Sequence, residues 1–162
     1  MSPGEWRAAR VCLNGHLVSN DDEPGTSPPT GFCTVCGERV IAACEYCQEQ
    51  LRGRYRPQPG EVFTSAWQRP RYCHACGRAH PWQTALLSAA KQLVDEAAGL
   101  QPEERETMVR SIEAVARDAA GLELAAARLR RLLEKLDADD RRFVRRTIES
   151  VSGDEARRLV LD

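Results

Sequence analysis

The chain has 162 residues with seven cysteines, 42% hydrophobic and 29% charged residues, and a formal net charge of −1. No apolar run approaches the roughly 20 residues that a membrane-spanning helix needs, and the first residues lack the apolar stretch of a secretory signal. The composition therefore favours a cytoplasmic protein of one or two small domains, and the near-neutral charge gives no general argument for nucleic-acid binding.

All seven cysteines lie before residue 77, and six of them form three C-x-x-C pairs. The seventh, Cys12, precedes His16 by four positions, which completes a fourth pair. Cysteine and histidine at these spacings are typical ligands of structural zinc, and eight ligands suffice for two tetrahedral sites. The sequence therefore predicts two structural zinc ions per chain. The predicted ligands are Cys12, His16, Cys33, Cys36, Cys44, Cys47, Cys73 and Cys76.

These ligand pairs can be combined in two ways. A sequential arrangement joins the first pair to the second and the third to the fourth, whereas a cross-braced arrangement joins the first to the third. The sequential one is favoured, because each site then closes one loop of a length suitable for the hairpin of a zinc ribbon. Gly37 and Gly77 follow the second cysteine of two pairs and can adopt the positive φ of a metal-binding turn.

Other cysteine chemistries fit less well. A disulfide framework requires an oxidising compartment, attachment of c-type haem requires C-x-x-C-H, and a thioredoxin-like redox motif carries a single pair. No catalytic motif is present either, such as a metalloprotease helix or a phosphate-binding glycine loop. Because the predicted zinc sites are filled by four protein ligands each, no position is open for a catalytic water. We therefore do not expect an enzyme.

The two segments between paired ligands differ in character. Residues 19–31 are polar and rich in proline and glycine, which is typical of a loop. Residues 51–67 predict a hairpin, with strands at 51–56 and 62–67 and a turn at 57–61.

The first strand of this predicted hairpin carries three arginines at period two, which places them on one face. Tyr55 and Trp67 supply aromatic surface nearby. Such a patch could contact nucleic acid, phosphate or an acidic partner, and a solvated strand face is the alternative. The candidate contact residues are Arg52, Arg54, Tyr55 and Arg56.

From Pro81 onward the apolar residues recur at helical spacing, beginning with Trp82 and Leu86. Pro81 and Pro102 are suited to the first turn of helices. Asp137 or Asp139 can cap a fourth helix, and a last short helix is predicted after residue 153. The predicted fold is therefore α+β, with a double zinc ribbon at residues 1–80 followed by a bundle of four or five helices at 81–162.

A second basic cluster lies in the predicted fourth helix. Its i, i+3 and i+4 spacings place the arginines along one side of the helix. The cluster predicts a recognition surface, and a solvated face balanced by nearby acidic residues is the alternative. The residues are Arg141, Arg142, Arg145 and Arg146.

The motifs C-L-N-G-H, F-C-x-x-C-G, R-G-x-Y and C-H-x-C-G together resemble a bacterial family, the domain of unknown function 2321. Its members look like tandem zinc ribbons followed by helices. The resemblance covers residues 9–98, and E-L-A-A-A-R-L-R-R-L-L is similar to the family's tail. It implies fold and metal but no activity. The matching residues are Cys12, Asn14, Gly15, His16, Phe32, Cys33, Cys36, Gly37, Cys44, Cys47, Arg52, Gly53, Tyr55, Cys73, His74, Cys76, Gly77, Pro81 and Trp82.

Taken together, these patterns predict a zinc-binding, non-catalytic adaptor that mediates protein–protein interaction in a bacterial multi-component system. A nucleic-acid-binding zinc ribbon is the alternative. The sequence predicts neither a membrane partner nor a small-molecule substrate.

Overall fold

The structure is a computed structural model that describes residues 4–25, 31–62 and 66–161. Its contacts divide the chain into two compact units, Met1–Gln83 and Thr84–Asp162. The division falls three residues after the boundary that the change in sequence pattern suggests, inside the first turn of a helix. The fold class is α+β, as predicted: antiparallel strands come first and helices follow.

The N-terminal unit is organised around one long strand, β1 (Glu5–Cys12). β2 (Leu17–Asp22) pairs with it antiparallel, and β3 (Val40–Ile41) and β4 (Arg52–Arg56) pair with its two ends. The central part of β1 is buried, which explains its run of small and apolar residues. The buried core is small and consists of Ala9, Val11, Ile41, Leu51 and Trp82.

The predicted hairpin of residues 51–67 is wrong in its pairing. β4 pairs with β1, with Tyr55 opposite Trp6 and Arg52 opposite Ala8. Residues 63–65 lie outside the described part of the chain, and the described residues on either side of them are not in a strand. The register shifts between the two pairs, so that three residues of β4 span two of β1. Gly53 lies in this bulge, where an added Cβ would meet backbone carbonyl oxygens.

Five helices follow in the described residues, namely α1 (Pro81–Glu96), α2 (Pro102–Ala116), α3 (Leu122–Leu133), α4 (Ala138–Val151) and α5 (Asp154–Leu161). The sequence signals for their starts are confirmed in two cases. Pro102 occupies the first turn of α2, where Gln101 and Glu104 form a capping box. Asp137 caps α4, because its carboxylate accepts from the amides of Asp139 and Asp140 at 3.0 and 2.9 Å.

The helices bury a continuous apolar core of their own. Its most deeply buried members come from α2 to α4 and include Met108, Ile112, Leu129, Leu133 and Ile148. Among the described residues, no helix has both the length and the apolar composition to cross a membrane. One residue of the predicted helical stripe behaves differently, because Trp82 belongs to the core of the N-terminal unit and not to the helical core.

Candidate metal centres

The first candidate centre, which we call cluster 1, consists of Cys12, His16, Cys33 and Cys36. Cys12 ends β1, His16 directly precedes β2, and the two other cysteines lie in a turn before β3. The Nδ1 atom of His16 is 3.5 Å from Cys12 Sγ, 3.7 Å from Cys33 Sγ and 3.3 Å from Cys36 Sγ. Cys12 Sγ and Cys36 Sγ are 3.8 Å apart. Four donor atoms therefore converge on one point.

The second candidate centre, cluster 2, consists of Cys44, Cys47, Cys73 and Cys76. The sulfurs of Cys44 and Cys76 are 3.8 Å apart, and those of Cys47 and Cys73 are 3.6 Å apart. In each cluster all four donor atoms lie within 4.8 Å of one another. The eight side chains are thus grouped sequentially along the chain, and not in the cross-braced arrangement.

The three C-x-x-C turns share one backbone pattern. In each, the amide of the residue after the second cysteine donates to the carbonyl of the first cysteine, at 2.8 to 2.9 Å. That residue has positive φ, with values of 73° at Gly37, 61° at Gln48 and 71° at Gly77. The turn points successive amides toward the first sulfur of each pair, so that the thiolate is stabilised. The glycines were predicted for this reason, whereas Gln48 adopts the same conformation without being glycine.

The turn that carries Cys12 and His16 is one residue longer. The amide of Gly15 donates to the carbonyl of Cys12 at 2.7 Å, and Gly15 has a φ of 86°. The amide of His16 lies 3.2 Å from Cys12 Sγ and donates to it. The extra residue leaves room for the imidazole ring to reach the point where a thiolate stands in the other turns.

The donor separations match those of a tetrahedral metal site. A site with metal–sulfur bonds of about 2.3 Å has sulfur–sulfur edges of about 3.8 Å and slightly shorter sulfur–nitrogen edges. The sulfurs are much too far apart for disulfide bonds, whose length is about 2.05 Å, and all seven cysteines are free. Both clusters could therefore hold a metal ion.

The thiols of the clusters are held in unequal protonation states. The backbone amide of Val35 is the largest influence on Cys33 and lowers the pKa of its thiol to about 7. Burial raises the pKa of Cys44, but the amides of Cys47 and Tyr46 outweigh it and bring the pKa to about 7. At Cys47 the amide of Glu49 lowers the pKa, whereas burial and the neighbouring thiols together raise it to about 12. Four thiols at such distances cannot all ionise unless a cation neutralises them.

Arg69 is a residue beside cluster 1 that the sequence reasoning missed. It donates a hydrogen bond from Nη1 to the carbonyl of Gly15, and its guanidinium lies 5.8 Å from the centre of the Trp82 ring. Burial lowers the pKa of Arg69, and the charge of Cys12 opposes this effect. The positive side chain therefore fixes the Cys12 turn and partly neutralises the thiolates. Nothing in the sequence marks it, since it is 54 positions from its partner.

The predicted contact residues of β4 do not form a single arginine face. The Arg52 guanidinium lies 5.4 Å from the centre of the Trp6 ring, on the side of β4 that also carries Tyr55. Arg54 instead forms an ion pair of 2.7 Å with Asp21 of β2. The bulge between β1 and β4 explains this change of side. Arg56, at the end of the strand, is exposed.

The second predicted set lies on α4 in the helical unit. Arg141 contacts Glu134 at 3.4 Å, and Arg142 contacts Asp139 at 3.5 Å. Arg145 donates to the carbonyl of Leu161 at 2.6 Å, and Arg146 is exposed. Three of the four arginines are therefore engaged with groups of the same unit, which agrees better with a stabilised helix surface than with a free basic cluster.

Comparison with known proteins gives one match. Neither the search of curated proteins nor the search of solved structures found a similar protein. The model of one protein family matches residues 5–160, which include both clusters and all five helices almost to the end of the last. The match extends well beyond the region that carries the sequence motifs. The chain therefore belongs to DUF2321, a family described as uncharacterised proteins conserved in bacteria.

Proposed function

We propose that each cluster binds one structural zinc ion and that the chain is a non-catalytic adaptor, which joins proteins in a bacterial multi-component system. Three thiolates with an imidazole, or four thiolates, are the donor sets that structural zinc prefers, whereas magnesium and calcium prefer oxygen ligands. The observed grouping of donors supports this identity of the metal. Free thiols also persist best in a reducing compartment, which supports a cytoplasmic location.

The same geometry argues against catalysis at the metal. A catalytic zinc keeps a coordination position for water or substrate, whereas a structural zinc is surrounded by four protein ligands. Each cluster offers four donors. The zinc ions would therefore serve to fold the N-terminal unit, with an apparent contribution of about 10–16 kcal/mol each. The role of this unit is then to present a surface.

The observation that carries the adaptor proposal is an apolar surface around cluster 1. Phe32 is 74% exposed and Val35 is 73% exposed, and they flank Cys33 and Cys36. Leu17 and Val18, which follow His16, are 47% and 46% exposed. Large apolar side chains gathered at one exposed place are typical of protein–protein interaction sites. Metal coordination holds the backbone beneath them rigid, so that little conformational entropy is lost on binding.

The adaptor proposal is tested by removing this apolar surface while the metal site is kept. The double variant Phe32→Ser/Val35→Ser leaves every ligand in place, and Val62→Ser serves as the control, because Val62 is 85% exposed away from both clusters. The tagged chains are captured from the native host after mild cross-linking. We expect wild type and the control to recover the same partner in stoichiometric amount, and the double variant to lose it.

The metal content of all three chains is measured in the same preparations by mass spectrometry, and we expect two zinc ions per chain. Equal recovery of the partner by the double variant, or repeated recovery of the chain alone, would overturn the adaptor proposal. Fewer than two zinc ions in freshly prepared wild type would overturn the assignment of the metal, independently of the partner.

A further inference from the structure

A cavity of about 380 Å³ lies beside β4 in the N-terminal unit. It is bordered by β1, by β4 and by residues 66–70, and its walls combine three aromatic rings with two arginines. Neither metal cluster contributes to it. The walls are formed mainly by Trp6, Arg52, Arg54, Tyr55 and Trp67.

The aromatic walls are held in place before any ligand binds. Trp6 and Tyr55 are cross-strand partners whose ring centres lie 5.2 Å apart at an angle of 58°. The indole nitrogen of Trp67 donates to the carbonyl of Arg52 at 3.0 Å, which fixes the second indole against β4. Trp6 is nevertheless 42% exposed. An open aromatic face is therefore available at the surface and cannot close by collapse of its neighbours.

The cavity is also positively charged. Arg52 lies over the ring of Trp6, with its guanidinium 5.4 Å from the ring centre. Arg54 forms an ion pair with Asp21 and is still 54% exposed at its side chain. The hydrogen bond from Arg54, followed by the charges of Arg7 and Arg56, holds the pKa of the Asp21 carboxyl below its ordinary value. Cations therefore outnumber the one carboxylate at this edge of the sheet.

We propose that this cavity binds a nucleobase that carries a phosphate, with the base stacked at Trp6 and the phosphate at Arg52 and Arg54. Unpaired bases stack on aromatic rings and on guanidinium planes, and arginine pairs with the phosphate. An acidic peptide would satisfy the arginines but leave the rings uncovered, and a proline-rich peptide would satisfy only the rings. The volume is at the lower end of the range of small-ligand sites, about 300–1,000 Å³. The proposal does not depend on the adaptor role.

The test uses the full chain loaded with zinc and a fluorescently labelled single-stranded RNA of twelve uridines. Anisotropy measures its binding, and uridine monophosphate, a twelve-base-pair duplex, an acidic peptide and a proline-rich peptide serve as competitors. Competition by the mononucleotide would identify a free nucleotide as the ligand, whereas binding of the strand alone would identify single-stranded nucleic acid. Absence of binding to both, or equal competition by the duplex or by either peptide, would overturn the proposal.

Two variants separate the stacking interaction from the phosphate interaction. Trp6→Ala should weaken binding about tenfold or more, without a change in its salt dependence, and Trp6→Phe should restore most of the affinity. Arg52→Met should weaken binding and reduce the slope of log K against log salt concentration by about 0.7 for each phosphate that no longer pairs with an arginine. A purely structural role would not produce this division.

Tyr46→Ala is the matched control. Tyr46 is also an exposed ring with an arginine above it, since the guanidinium of Arg78 lies 4.4 Å from the ring centre, but it does not border the cavity. Zinc content and circular dichroism verify that every variant is folded. If Trp6→Ala, Arg52→Met and Tyr46→Ala bind the strand with the same affinity and salt slope as wild type, the cavity is not the binding site and the proposal fails.

Discussion

The two units of the chain are built by opposite means. The N-terminal unit has short strands and a buried apolar core of five residues, whereas the helical unit buries 17 residues in one cluster and contains no cysteine. A core as small as that of the first unit does not by itself overcome the conformational entropy of folding. The comparison indicates that metal coordination stabilises one unit and apolar packing the other, so that each should respond to a different perturbation.

Removal of the proposed zinc ions should have the largest effect. Because each structural zinc contributes an apparent 10–16 kcal/mol or so to folding, we expect a chelator to unfold the N-terminal unit and leave the helical unit folded. All three tryptophans, Trp6, Trp67 and Trp82, lie in the N-terminal unit. Tryptophan emission therefore reports that unit, and circular dichroism at 222 nm reports the helices.

We expect the emission to shift to longer wavelength as Trp82 becomes exposed, while most of the signal at 222 nm is retained. Readdition of zinc under reducing conditions serves as the control and should reverse the shift. Loss of both signals at the same chelator concentration would contradict the comparison, because the helical unit would then depend on the metal as well.

A cavity in the helical core is the reverse perturbation. Leu129 is fully buried in α3, so Leu129→Ala should lower the free energy of unfolding of the helical unit by about 2–5 kcal/mol. Leu124 of the same helix is 56% exposed, and Leu124→Ala should change it by no more than about 0.5 kcal/mol. Urea unfolding followed at 222 nm measures both. A comparable loss of zinc or of tryptophan signal in Leu129→Ala would show that the two units are not independently stabilised.

The sequence predicts the parts of this structure that depend on local spacing. Cysteine pairs place their sulfurs within one turn of backbone, and the residue after each pair requires positive φ, so the eight members of the clusters could be identified without a structure. The helix starts follow from local signals in the same way, since Pro102 and Asp137 act on amides within four residues of themselves.

The parts that the sequence does not predict depend on contacts between distant segments. The alternation at residues 51–56 indicates a strand but not its partner, and β1 is more than 40 positions away. Trp82 fits the periodicity of α1 and yet packs with strands of the N-terminal unit. Arg69 reaches the Cys12 turn through the fold alone. In each case a local pattern is compatible with several partners, and packing selects one.

The metal-binding turns sharpen the comparison within the N-terminal unit. Gly37 and Gln48 occupy the same position of two turns, at φ values of 73° and 61°. An added Cβ at Gly37 meets open space, so Gly37→Ala costs only its left-handed backbone, about 1–2 kcal/mol. Gln48→Gly should have the opposite sign and a smaller size, because greater freedom of the unfolded chain offsets about 0.4–1 kcal/mol of the relieved strain.

The measurement for these turns is the thermal midpoint of the tryptophan signal at a fixed free zinc concentration. Gly77→Ala repeats the Gly37→Ala substitution in cluster 2, where an added Cβ also meets open space, and should lower the midpoint similarly. The 222 nm signal should not change in any of the three variants. Destabilisation by Gln48→Gly would show that its side chain contributes more than its backbone strain costs.

The smallest expected effect concerns an ion pair between helices of the second unit. The hydrogen bond from Lys135, followed by the amide of Gln101, lowers the pKa of Glu104. A lowered pKa in the folded state means that the ionised carboxylate stabilises the unit above the ordinary value of about 4.3, and that this contribution is lost as the pH falls through the lower folded value. Glu104→Gln should therefore lower the urea midpoint at 222 nm at pH 7 and have little effect at about pH 3.

Glu103→Gln makes the same charge change in the same turn of α2 and is the matched control for this pair. It should reproduce only the part of the effect that comes from a negative charge near the helix start. Since the pair lies wholly within the helical unit, neither variant should alter tryptophan emission or zinc content. An effect of Glu104→Gln that is equally large at pH 3 would assign it to side-chain packing and remove the ion pair from the interactions that stabilise the helical unit.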